Sequence, residues 1–80
     1  MTNNTTNKPE KVFRIGSTSA SIWKRSGKDG GSVFYNVQFQ RSYRTDDSTQ
    51  YTDSFNHDDL LHIAELARRA ERWIADQVTA

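Results

Sequence analysis

Apolar residues recur with one period through the first two thirds of this chain and with another through the last third. Between Phe13 and Phe55 they alternate with polar neighbours, and from Asn56 onward they return every three to four residues. A period of two belongs to a strand with one buried face, and a period near 3.6 to a helix with one buried stripe. One such change of period restricts the fold to a sheet followed by a helix, the α+β class.

The strand-like part divides at its turns. Residues 12–25 (VFRIGSTSASIWKR) place Phe13 and Ile15 at odd positions but Ala20 and Ile22 at even ones. An odd insertion reverses the faces of a strand, so a bulge or break is expected at Gly16, giving one bent strand or two short ones. Ser26-Gly27-Lys28-Asp29-Gly30-Gly31 is a turn, with glycines for positive φ and an Asp-Gly pair suited to a hairpin. Residues 32–44 (SVFYNVQFQRSYR) alternate cleanly. Val33, Tyr35, Val37, Phe39 and Tyr43 share one face; Phe34, Asn36, Gln38, Gln40, Ser42 and Arg44 share the other. Thr45-Asp46-Asp47-Ser48 forms the next turn, and residues 49–55 a further strand with Tyr51 and Phe55 in phase.

Asn56 is a suitable N-cap, and Asp58 and Asp59 sit where the helix dipole favours anions. One helix is expected over about 57–77, with Leu60, Ile63, Ala64, Ala67, Ala70, Ile74 and Val78 as its apolar stripe and Leu66 and Trp73 flanking it. The expected architecture is a curved antiparallel sheet of three to four strands with one C-terminal helix packed over Val33, Tyr35, Val37 and Phe39. The opposite face then carries Ser19, Ser21, Trp23 and Arg25 beside the polar side of 32–44. Residues 1–10, with no apolar residue after Met1, read as a disordered tail, and 11–80 as a single domain.

A domain of 80 residues buries only ~60% of the surface its unfolded chain exposes. Without cysteine it has neither a disulfide nor a thiolate metal cage to compensate. Oligomerisation is the expected remedy, and the broad helix stripe supplies a surface for it. The opening MTNNTTNKPEK has no apolar segment of a signal peptide, and no apolar run of membrane-spanning length occurs, so a cytoplasmic location is expected.

No catalytic constellation is apparent. His57 and His62 lie five positions apart, which on a helix turns them about 140° away from each other. The carboxylate pairs Asp46-Asp47 and Asp58-Asp59 fall in a turn and a first helical turn. No Gly-x-Ser-x-Gly elbow and no P-loop occurs. A non-enzymatic protein with no metal, cofactor or small-molecule substrate is expected.

Charge is uneven. Residues 11–44 sum to +6 and residues 45–80 to −5, inside a total of +1. Basic and aromatic residues interleave as Trp23-Lys24-Arg25 and Arg41-Ser42-Tyr43-Arg44. Single-strand binders combine such cations, which neutralise phosphates, with aromatic platforms on which bases stack. Two readings follow: a nucleic-acid-binding sheet, or a protein-interaction or dimerisation module whose polar face is merely solvated.

Phe13-Arg14-Ile15-Gly16, the glycine turn, the aromatic strand ending Arg41-Ser42-Tyr43, and a last strand entering one amphipathic helix at Asn56 form an order that resembles the transcriptional coactivator positive cofactor four family and its small bacterial relatives. The resemblance covers roughly residues 12–76. It implies a curved antiparallel sheet followed by one helix, dimerisation through the helices, and single-stranded DNA held on the sheet. Ile22-Trp23, Phe34-Tyr35-Asn36-Val37 and Asp59-Leu60-Leu61 are also similar to a pattern in small bacterial proteins without an established activity. The family carries a basic, glycine-containing stretch in its last strand, where this chain has Gln50-Tyr51-Thr52-Asp53-Ser54-Phe55. Contacts to single-stranded DNA or RNA are therefore expected on the earlier strands, from Arg14, Trp23, Lys24, Arg25, Lys28, Phe34, Arg41, Tyr43 and Arg44. The homodimer interface is expected at Leu66, Ala70, Trp73 and Ile74.

Overall fold

The computed structural model describes residues 8–27 and 31–79. Four strands, β1 (Lys11–Ile15), β2 (Thr18–Ser26), β3 (Val33–Arg44) and β4 (Thr49–Thr52), precede a 3-10 turn (His57–Asp59) and the helix α1 (Leu60–Thr79). The strands pair antiparallel in chain order, β1-β2-β3-β4. The fold is α+β, an open sheet followed by one helix, in the class the change of period indicates. No helix among the described residues is long and apolar enough to cross a membrane.

The reversal of parity after Gly16 has a simpler cause than a bulge. Ile15 pairs with Thr18, Phe13 with Ala20 and Lys11 with Ile22. Residues 12–25 are thus two strands joined by a two-residue hairpin. Gly16 has φ 58 and no described non-glycine residue has positive φ, so only the first central residue is positive, the pattern of a type II′ turn. A Cβ at Gly16 would meet nothing within 4 Å, leaving backbone conformation as the whole cost of a substitution. Gly16→Ala should destabilise the fold by at least about 1 kcal/mol. In a thermal melt followed by circular dichroism this lowers Tm by roughly 5 °C or more.

The core is small and lies where the helix crosses β2. Ala20, Ile22, Leu66 and Ala70 are its buried apolar side chains. Two of the four are alanines, and Ile22 and Leu66 are the large side chains among them. Thr18 is buried beside them, and its hydroxyl donates to the Ile15 carbonyl at 2.6 Å, which satisfies the polar group that burial would otherwise penalise. The helix packs chiefly on β2 and β1 and only marginally on β3. This corrects the expectation that it covers Val33, Tyr35, Val37 and Phe39: Val33 is 53% exposed and the other three are half-buried. The helix is also rotated from the expected stripe. Leu66 and Ala70 form its centre, while Leu60 and Val78 stay exposed. Trp73 reaches β3 at the margin, edge-to-face with Tyr35 at 5.9 Å between centroids.

The last strand is shorter than its 49–55 reading, because the chain leaves the sheet after Thr52 to start the helix. Asn56 caps it, with its backbone N–H donating to the Asp59 carboxylate at 2.9 Å and the Asp59 N–H donating back to the Asn56 carbonyl at 2.9 Å. Arg41 fixes this corner to the sheet, since its Nε donates to the Ser54 carbonyl at 3.0 Å and lies 3.4 Å from Asp59 Oδ2. On the outer helix surface Glu65 accepts from Arg69 at 2.9 Å and Arg68 at 3.1 Å. Those two hydrogen bonds, Arg69 first, hold its carboxyl below the usual carboxylate range.

Candidate nucleic-acid interface

Directly paired residues of a sheet share a face, so the register sorts every strand side chain. The helix-bearing, inner face takes Lys11, Phe13, Ala20, Ile22, Lys24, Tyr35, Val37, Phe39, Arg41 and Tyr43. The outer face, with no described element packed on it, takes Arg14, Ser19, Ser21, Trp23, Arg25, Phe34, Asn36, Gln38, Gln40, Ser42, Arg44 and Tyr51. The molecule is 16 Å across its short axis, the thickness of one sheet and one helix.

At one end of the outer face four side chains form a cluster. Trp23 stands opposite Asn36, and Arg25 opposite Phe34. The Arg25 guanidinium carbon lies 5.3 Å from the centre of the Trp23 ring, and its Nε donates to Asn36 Oδ1 at 3.2 Å. Cation–π contact and hydrogen bond together hold a flexible cation against an aromatic plane. Phe34 is 49% exposed. A band of Ser19, Ser21, Gln38 and Gln40 separates this cluster from Ser42, Arg44 and Tyr51 at the other end, with Arg14 opposite Ser19 at the β1 edge. From Phe34 to Arg44 the face runs about 33 Å along β3.

The electrostatics of the strands are one-sided. β1 to β4 carry six basic residues and no Asp or Glu. On the outer face Arg14, Arg25 and Arg44 have no carboxylate partner among the described residues. Arg68 and Arg69, by contrast, are occupied by Glu65 on the helix.

The structure divides the residues expected to bind nucleic acid. Arg14, Trp23, Arg25, Phe34 and Arg44 lie together on the outer face. Lys24, Arg41 and Tyr43 lie on the inner one, where Arg41 packs over the Tyr43 ring at 5.9 Å and is tied to Asp59 and Ser54. Lys28 lies outside the described residues. Tyr51, 63% exposed and opposite Ser42, joins the outer face, although it is absent from the expected set. The four-residue turn Thr45–Ser48 makes it legible: that turn sets Arg44 against Thr49 and hence Ser42 against Tyr51.

The residues expected at a dimer interface make contacts within the chain. Leu66 and Ala70 are fully buried against the chain's own sheet, Trp73 packs on Tyr35, and Ile74 is half-buried. They are the sheet-facing side of the helix. No group of three or more metal-ligating side chains occurs among the described residues. Neither a family model, nor a curated protein, nor a solved structure matches this chain.

Proposed function

We propose that the outer sheet face binds single-stranded nucleic acid with little sequence preference, through phosphate and stacking contacts and without catalysis. The observation that carries this reading is the Trp23–Arg25–Asn36–Phe34 cluster on a sheet face free of acids. Trp23 and Phe34 offer ring surfaces to unpaired bases, worth about 1–3 kcal/mol per stacked base. Arg14, Arg25 and Arg44 offer charge to phosphates, and the Ser and Gln band offers hydrogen bonds to backbone or base edges. The resemblance to a family that holds single-stranded DNA on its sheet points the same way.

The test is fluorescence anisotropy of a labelled oligonucleotide, single-stranded and duplex. Three arginines neutralising three phosphates give a salt slope of about −2, so single-strand affinity should fall about 20-fold between roughly 50 and 200 mM salt. The duplex should bind more weakly, because its bases are already stacked. Absence of binding to either form at low salt rejects the reading.

A further inference from the structure

The outermost hydrogen-bonding edge of β3 is only partly used. β4 pairs with Arg41–Arg44 alone, leaving Val33–Gln40 with β2 on one side and, among the described residues, no strand on the other. The Ser42 N–H reaches the Ser17 carbonyl on the β2 side at 2.9 Å. Backbone groups alternate sides along a strand, so those of Tyr35, Val37 and Phe39 point outward, and none has a hydrogen-bond partner among the described residues. Along this edge runs a groove of about 670 Å³, lined in part by Val37, Phe39 and Phe55.

Exposed edges are ordinarily blunted by charge, proline or shortness. The outer edge strand β1 carries Lys11 and Arg14, and β4 has four residues. The Val33–Gln40 stretch, VFYNVQFQ, has none of these protections. β1, the first strand of the chain, lies at the far side of the sheet from this edge, and MTNNTTN has no apolar residue after Met1 to fill the groove.

We propose that this edge pairs antiparallel with the same edge of a second copy, joining two four-stranded sheets into one of eight strands. A strand pairing with itself across a two-fold axis is self-complementary. It sets inner-face Tyr35, Val37 and Phe39 against inner-face residues of the second copy, and the uncharged stretch brings no like charges together. Both helices then lie on one side and both outer faces on the other. With Asn36 on the axis, Tyr35 stands opposite Val37 and Phe39 opposite Val33 of the second copy, and the Trp23 residues of the two copies stand about 14 Å apart across three strand spacings. The pairing stands on the free edge and is independent of nucleic-acid binding.

Sedimentation of the full chain over a concentration series, with no oligonucleotide present, should show a species of twice the 9.2 kDa chain mass. In that species the Tyr35, Val37 and Phe39 amides should exchange on the order of 100-fold more slowly than in dilute protein. Val37→Pro removes an outward N–H and leaves the β2 ladder intact, so it should yield a folded monomer. A wild-type monomer at high micromolar concentration, a dimer whose three amides exchange freely, or a dimeric Val37→Pro overturns the pairing. If Val37→Pro fails to fold, Val37→Lys is read instead: a folded monomer supports the pairing and a dimer overturns it.

Discussion

Leu66→Ala should unfold a large fraction of this protein, at a cost of about 2–5 kcal/mol. Leu66 is fully buried and is one of four buried apolar side chains among the described residues, of which two are alanines. Removing it leaves Ile22 as the one large, fully buried apolar side chain among the described residues. A domain of this length has a total stability of roughly 4–12 kcal/mol, so one truncation consumes a substantial share. The effect is specific to the helix rotation. Leu61→Ala, at a position 82% exposed, should change stability by no more than about 0.5 kcal/mol. Urea unfolding of the two variants beside wild type reads both values. Equal midpoints for Leu66→Ala and wild type would mean that the helix does not rest on the sheet through this residue.

The contrast between Leu66 and Leu61 also marks what the sequence makes legible. The change of period at Asn56, the cap itself and the turn at Thr45–Ser48 are local signals, and each stands where it is read. The helix rotation is not local. Apolar residues from Leu60 to Val78 cover so wide an arc that several rotations bury a comparable number, and only the partner surface chooses between them. Here that surface is chiefly β2, where Ala20 and Ile22 are buried. Gly16 shows the same limit in the sheet. A bulge and a two-residue hairpin both reverse parity, and the difference lies in which residues pair, a non-local fact. The candidate site divides for a reason that period two already contains. Neighbours in a strand face opposite ways, so Lys24 cannot share a face with Trp23 and Arg25, nor Tyr43 with Arg44. Proximity in sequence groups them; the pleat separates them.

Trp23→Ala should weaken single-strand binding by about 5- to 150-fold, the span of one lost stacking contact, while leaving the fold intact. Its ring stands on the outer face, away from the crossing of Ile22 and Leu66. A large drop in Tm would instead make it a packing residue. Trp23→Phe, which keeps an aromatic plane, should recover most of the affinity. Arg25→Ala should lower affinity and also flatten the salt slope by about 0.7, the signature of one lost phosphate contact on a single strand. The two losses should combine less than additively. Arg25 lies over the Trp23 ring and is held by Asn36, so removing the ring also frees the cation, and coupled neighbours depart from additivity. Arg41→Ala supplies the decisive comparison. Arg41 carries the same formal charge as Arg25 and also lies over an aromatic ring, but it lies on the inner face, bonded to the Ser54 carbonyl and beside Asp59. Its loss should lower stability and leave the salt slope unchanged. If Arg41→Ala flattens the slope as much as Arg25→Ala does, the nucleic acid does not distinguish the two faces, and the outer-face assignment fails.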